Sequence, residues 1–218
     1  MNMPLGIPKV RYRRFFEDKP TWIDIYQRLY IERALFLCKE IKTIFANRFI
    51  ALLLQLDSET DVYDDTDADT DISIFINSVG GGAEAAISIY DTMRYIVPDV
   101  WTINMGLAAS AASLILVGGT ITKRVALPHA RICITQPRSA AISTNTNIDS
   151  LIIEEKDTLE LRNTIADIYA GNTGKPVDVI QKDLERDYDY FMSATEAQDY
   201  GIIDRVAKFK KENEENPE

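Results

Sequence analysis

The feature that most narrows what this chain can fold into is a run of short apolar strands alternating with helical stripes between residues 72 and 134. Residues 72–76 and 100–105 read as strands, and 83–96 and 109–117 as helices, the last closed by Gly118 and Gly119. Further short strands are expected near 124–127 and 132–134. Strands separated by roughly 10 to 15 residues of helix form parallel βαβ units, because a hairpin cannot return a chain in the same direction. The predicted class is α/β.

The flanks are less regular. Prolines at 4, 8 and 20 and the basic run 11–14 predict a flexible N-terminal arm over residues 1–20. Trp22, Ile25, Tyr26, Leu29 and Tyr30 recur at helical spacing, residues 34–38 look like a strand, and a helical stripe runs from Ile41 to Leu56. The stripe leads into an acidic segment, 57–71, with eight Asp and Glu residues. An EF-hand loop starting at Asp65 would need glycine where Thr70 stands and glutamate where Ile76 stands, so a solvated loop is expected and no metal site.

Beyond the βα region a long helix is predicted over 148–169, stopped by the segment Gly171-Asn172-Thr173-Gly174. Pro176 suits the first turn of a helix reaching Leu184. Ser193 and Glu196 form a capping box for a last helix that Gly201 ends before a strand at 202–203. The expected organisation is one domain over 21–207, with the long-helix handle at about 136–172 and a charged tail at 208–218. No internal repeat is visible.

Composition removes several functions. The 218 residues are enough for one full core, and no apolar run reaches the roughly 18 residues needed to span a bilayer. The start of the chain reads neither as a secretory signal nor as an import leader. A net charge of -10 repels phosphate backbones, so neither nucleic acid nor membrane is an expected partner. With one histidine and two cysteines no zinc pattern can be assembled, and Cys38 and Cys133 read as buried free thiols. No cofactor is expected.

Two segments carry chemistry. Gly80-Gly81-Gly82 follows a strand, and Ser110 stands among small residues at the mouth of a helix. Acyl transfer creates an oxyanion, which is held best by backbone N–H groups already aimed at it. The N–H of Gly81 is one candidate donor; that of Ala111, at the positive end of a helix, is the other. Spacing alone also fits a tight turn and a helix cap.

From about Met3 to Val206 the sequence resembles the proteolytic subunit of the Clp protease, and the plastid-encoded branch in particular. The resemblance rests on Met3-Pro4-Leu5-Gly6-Ile7-Pro8, Tyr26-Gln27-Arg28-Leu29-Tyr30, Ile76-Asn77-Ser78, Gly106-Leu107-Ala108-Ala109-Ser110, Leu127-Pro128-His129-Ala130-Arg131 and Phe191-Met192-Ser193-Ala194-Thr195-Glu196-Ala197. It implies the Clp protease/crotonase-like fold and a serine endopeptidase working inside two stacked seven-membered rings. It also implies other core subunits as neighbours, an ATP-dependent unfoldase of Hsp100 type, unfolded polypeptide as substrate, and the plastid stroma as the location. By the same resemblance Ser110 is the nucleophile, Gly81 and Ala111 the oxyanion donors, and Asp187 the triad acid. Asp189 is the alternative acid, because an extra residue pair nearby leaves the count open.

Two departures stand out. Where the resemblance calls for histidine, in the segment Cys133-Ile134-Thr135-Gln136-Pro137, this chain has Thr135, and where it calls for proline before the glycines it has Val79. A threonine hydroxyl is no base near neutral pH, so the expectation is a subunit whose own site is weak or silent. The alternatives are an active peptidase using His129 or Lys123 as base, and a crotonase-type acyl-CoA enzyme using Glu84.

Overall fold

The computed structural model describes residues 6–13, 19–60, 70–137, 148–186 and 189–208. In chain order the elements are β1 (Lys9–Tyr12), β2 (Thr21–Asp24), α1 (Ile25–Ile31), β3 (Ala34–Leu37), α2 (Thr43–Thr60), β4 (Ile72–Ser78), α3 (Ala83–Tyr95) and β5 (Val100–Ala109). There follow α4 (Ala111–Val117), β6 (Arg124–Ala126), β7 (Arg131–Ile134), α5 (Ile148–Thr173), α6 (Val177–Leu184), β8 (Tyr190–Ser193), α7 (Ala194–Tyr200) and β9 (Arg205–Val206).

Strands β3, β4, β5, β6 and β9 lie side by side in that order, and each neighbouring pair is parallel. This is the βαβ arrangement the periodicity requires. The sheet forks at β5, which pairs through residues 102–104 with β6 and through residues 107–109 with β7. Strand β8 then runs antiparallel to β7.

The fork depends on a local irregularity. Against β4 the register of β5 shifts between Ile76 and Ser78. Asn77 Oδ1 accepts from the Leu107 N–H at 3.1 Å and Asn104 Oδ1 from the Gly106 N–H at 3.2 Å. These amides would otherwise be left unpaired by the shift. A Cβ on Gly106 would sit 2.8 Å from Asn77 Oδ1 and press on the side chain that accepts from the Leu107 N–H. The shifted strand delivers residue 110 to the carboxyl edge of the sheet, where open α/β folds place their sites.

Burial follows the pattern of each element. On β4, Ile72, Ile74 and Ile76 are fully buried on one face, while Phe75 on the other stacks on Phe36 with centroids 5.2 Å apart. Helix α4, Ala-Ala-Ser-Leu-Ile-Leu-Val, is buried at all seven positions and packs on α3, α5 and the sheet. A helix apolar all round has no solvent face to offer. Arg124, 5% exposed, closes the opposite end: it grips Asp204 at 2.6 Å and 3.0 Å and donates to the Asn172 carbonyl at 3.1 Å.

Several expectations need correction. Residues 9–12 are not a loose arm but one strand of an antiparallel ribbon with β2, and Trp22 lies on that ribbon under the Arg11 guanidinium rather than on a helix. Helix α2 continues into the acidic segment as far as Thr60, and Asp71 is bonded to Lys123 and Trp101; residues 61–69 lie outside the described residues. Gly171 is helical, and the chain leaves α5 at Gly174 with φ 73°. Pro176 is the N-cap of α6, one residue earlier than expected. The strand expected at 202–203 is a buried turn, and β9 forms at 205–206. Cys38 is exposed and only Cys133 is buried. The Ser193 capping box is present as read, with Glu196 Oε2 2.7 Å from the Ser193 N–H.

Candidate active site

Strand β5 ends at Ala109 and α4 begins at Ala111, so one residue must turn the chain from strand to helix. That residue is Ser110, with φ 52° and ψ -125°. An L-residue pays about 1–3 kcal/mol to occupy such a region. The turn is over-determined by its surroundings: the Ser110 N–H donates to the Cys133 carbonyl at 2.9 Å, and the Ser110 carbonyl accepts from the Ser113 N–H at 2.9 Å and from Ser113 Oγ at 2.7 Å. A serine held this way exposes Oγ at the edge of the sheet, the geometry of a nucleophile elbow.

The glycine turn lies against this elbow. Gly80 has φ 95°, and a Cβ there would sit 2.9 Å from Ser110 Cβ and 3.0 Å from the Ala111 nitrogen. The Gly80 carbonyl and the Gly82 N–H both bond Ile41, at 2.8 Å each. Alternation along an extended chain turns the intervening N–H of Gly81 the other way, toward the side on which Gly81 lines a cleft. A Cβ on Gly81 would overlap the Ile41 carbonyl. The N–H groups of Gly81 and Ala111 have no acceptor among the described residues, so both can meet an oxyanion placed beside Ser110.

The cleft has a volume of about 960 Å³ and is walled by the glycine turn, the elbow, the end of β7 and the flank of α5. Gly81, Ser110, Ala111, Thr135 and Asp189 all line it. Thr135 shares a face of the β7 segment with Cys133, two residues earlier. Ile134 is registered with Tyr190, and continuing that antiparallel register sets Thr135 opposite Asp189. Asp187 lies outside the described residues.

Neither alternative base is in place. His129 is exposed in the turn between β6 and β7 and does not line the cleft. Lys123 bonds Asp71 and, at 2.9 Å, Asp99, at the amino-terminal ends of β4 and β5, far along the strands from Ser110. Those two hydrogen-bonded carboxylates push its pKa up, the reverse of what a base needs. Glu84 does line the cleft, from the first turn of α3.

Sequence reasoning missed the support behind the elbow. Ser113 Oγ lies 2.7 Å from the Ser110 carbonyl, 2.9 Å from the Cys133 carbonyl and 2.7 Å from the hydroxyl of Tyr169 on α5. Two carbonyls compete for the single Ser113 proton, so Tyr169 is the donor in the third contact. Burial raises the Tyr169 pKa, which keeps that proton in place. Burial, helped by the charge of Asp189, also pushes the Cys133 thiol up to about 11, so it stays protonated and unreactive. The spacing of Ser113 from Ser110 on one helix turn was a usable signal; nothing in α5 singled out Tyr169.

Comparisons with known proteins give the family. The Clp protease family model covers residues 17–210. The chain belongs to the Clp protease family. It is 50% identical to the chloroplastic ATP-dependent Clp protease proteolytic subunit 1 of Arabidopsis thaliana over 94% of this chain and 99% of that protein. It is 49% identical, with the same coverage, to the ATP-dependent Clp protease proteolytic subunits of Arabis hirsuta and Aethionema cordifolium. The Clp family is one of serine peptidases, and the elbow and glycine cradle described above are the parts of this chain that suit acyl transfer.

Proposed function

We propose that this chain is a proteolytic-core subunit of a plastid Clp protease whose own site is idle toward ordinary peptides. The observation that carries the proposal is Thr135: it lines the cleft beside Ser110, where a general base has to be, and its hydroxyl has no useful basicity. Ser110 is the nucleophile position, Gly81 and Ala111 hold the carbonyl oxygen, and the acid is Asp187 or Asp189. Asp189 is supported by its place across from Thr135.

Each part has a defined action. A peptide segment laid along residues 134–137 meets backbone N–H and C=O groups that β5 no longer covers, because β5 ends at its pairing of Ala109 with Cys133. The two free N–H groups polarise the scissile carbonyl. No imidazole lines the cleft among the described residues to remove the Ser110 proton and hand it on to the leaving amine, so the chemistry stops at binding. In subtilisin, where the same loss has been measured, removing the histidine costs about 10⁶-fold in kcat. Other subunits with complete sites do the cutting, this one supplies chamber wall and docking surface within stacked seven-membered rings, and an ATP-dependent unfoldase delivers unfolded polypeptide. The name of the Arabidopsis relative supports the plastid and the dependence on ATP; the stroma is part of the proposal.

The test is to purify the complex through a tag on this chain, determine its composition by native mass spectrometry, and treat it with a fluorophosphonate probe. The proposal expects a large ring assembly labelled on partner chains and not on Ser110. Free monomer, or probe on Ser110 equal to that on its partners, overturns it.

A further inference from the structure

The elbow at Ser110 keeps its strained turn and its two free donors, yet no imidazole lines the cleft among the described residues to take up the serine proton. The ionisable walls are carboxylates: Glu84, Glu154, Asp157, Glu160 and Asp189 line the cleft, and no imidazole, ammonium or guanidinium does so among the described residues. The sole histidine of the chain, His129, stands elsewhere. Ser110 Oγ and Thr135 Oγ1 make no hydrogen bonds among the described residues. Ser110, Thr135 and Asp189 thus line one cleft, Thr135 falls across from Asp189 when the β7–β8 register is continued, and Glu84, Glu154, Asp157 and Glu160 stand on the same walls.

We infer that the ligand supplies the base: a peptide with histidine close to and on the N-terminal side of its scissile bond seats that imidazole between Ser110 and Asp189, and is cut. This rests on the reading of Ser110, Gly81 and Ala111 given above. Three features select an imidazole. The acidic wall favours the cation that forms as the ring accepts a proton. Thr135 leaves room that a larger side chain would fill. A neutral imidazole is also the side chain whose basicity suits proton transfer near pH 7.

The steps balance without any further reagent. The Ser110 Oγ–H proton passes to the ligand imidazole as Oγ bonds the carbonyl carbon, and the oxyanion rests on the N–H groups of Gly81 and Ala111. The imidazolium then gives its proton to the amide nitrogen as the C–N bond breaks, and the amine leaves. Because the histidine is on the acyl side, it stays with the Ser110 ester. It takes a proton from the attacking water, and returns one to Oγ as the C–O bond breaks and the carboxylic acid leaves. A histidine on the amine side would depart with the first product and leave the ester stalled.

The experiment uses the whole assembled complex, with the nucleophile serines of partner chains changed to alanine so that only Ser110 remains. Fluorogenic peptides identical except for His or Gln on the N-terminal side of the scissile bond are compared, and the Gln peptide is also assayed with added free imidazole. The expected result is at least about 10²-fold faster cleavage of the His peptide, rescue of the Gln peptide by imidazole, and loss of both in Ser110→Ala. Equal rates for the two peptides overturn the inference. So does absence of Ser110-dependent cleavage while a Thr135→His complex cleaves both, and in that case the reading of the idle subunit survives. Absence of Ser110-dependent cleavage both in the unaltered complex and in an assembled Thr135→His complex overturns the inference and the cradle reading together.

Discussion

The phenol of Tyr169 reaches from the long helix α5 to within 2.7 Å of Ser113 Oγ, one helical turn behind Ser110. Tyr169 is 2% exposed and Ser113 is fully buried. The contact ties α5 to the carbonyls of both Ser110 and Cys133, and so to the two segments that form the cleft. Ser113→Ala strands a buried hydroxyl and is expected to cost about 1–3 kcal/mol, whereas Tyr169→Phe leaves Ser113 bonded to carbonyls and costs about 1 kcal/mol. Urea unfolding of the two single variants and the double variant checks this. The double variant is expected to cost less than the sum, because it leaves no orphaned hydroxyl.

Ser110 and Gly81 both sit at positive φ but answer substitution in opposite directions. Ser110→Gly relieves about 1–3 kcal/mol of strain against about 0.5–1 kcal/mol of added chain entropy. It is therefore expected to be about 1 kcal/mol more stable than Ser110→Ala. Gly81→Ala drives a Cβ into the Ile41 carbonyl and is expected to lower stability by more than the 1–3 kcal/mol of the backbone region alone. Thermal melts of the three variants decide the order.

The pairing of Arg124 with Asp204 makes part of the stability acid-sensitive. Burial alone would raise the Asp204 pKa; the Arg124 side-chain and backbone hydrogen bonds override it and hold the carboxyl below its ordinary value. A depressed carboxylate stabilises the fold above the ordinary carboxylate pKa of about 3.9 and loses that contribution as pH falls through the lower folded value. Asp204→Asn is therefore expected to flatten the fall of the urea midpoint with pH below about 5. Arg124→Ala removes the cation and its hydrogen bonds from a half-buried carboxylate and is expected to cost about 1–3 kcal/mol at neutral pH.

The two thiols differ in accessibility. Iodoacetamide on the native chain is expected to modify Cys38 and spare Cys133, which is buried and has its thiol pushed up to about 11. In denaturant both react. Mass spectrometry of the alkylated peptides reads the difference directly.

The βα region was legible because its periodicity has a single physical reading: four apolar segments of the right length with turn residues between them fold only as parallel units. Ser110 and the glycines were legible for the same reason, since a strand-to-helix turn needs small residues. The ribbon β1–β2 was not, because four alternating residues beside a helix start carry too little pattern, and Trp22 fits either period. Strand β8 owes its existence to the edge of β7 rather than to its own sequence. Cys38 was misread because an apolar neighbourhood in sequence says nothing of which face reaches solvent. The choice between Asp187 and Asp189 depends on an extra residue pair that counting cannot place, and only the β7–β8 register gives Asp189 a position across from Thr135.

The central claim is that a working carbonyl cradle stands beside a serine that lacks only its base, and Thr135→His tests it most directly. In the assembled complex with partner serines inactivated, peptides without histidine are expected to be inert to the unaltered chain. The Thr135→His chain is expected to cleave them at least about 10³-fold faster, with Ser110→Ala in that background abolishing the gain. Rapid Ser110-dependent cleavage of such peptides by the chain with Thr135 in place would contradict the account.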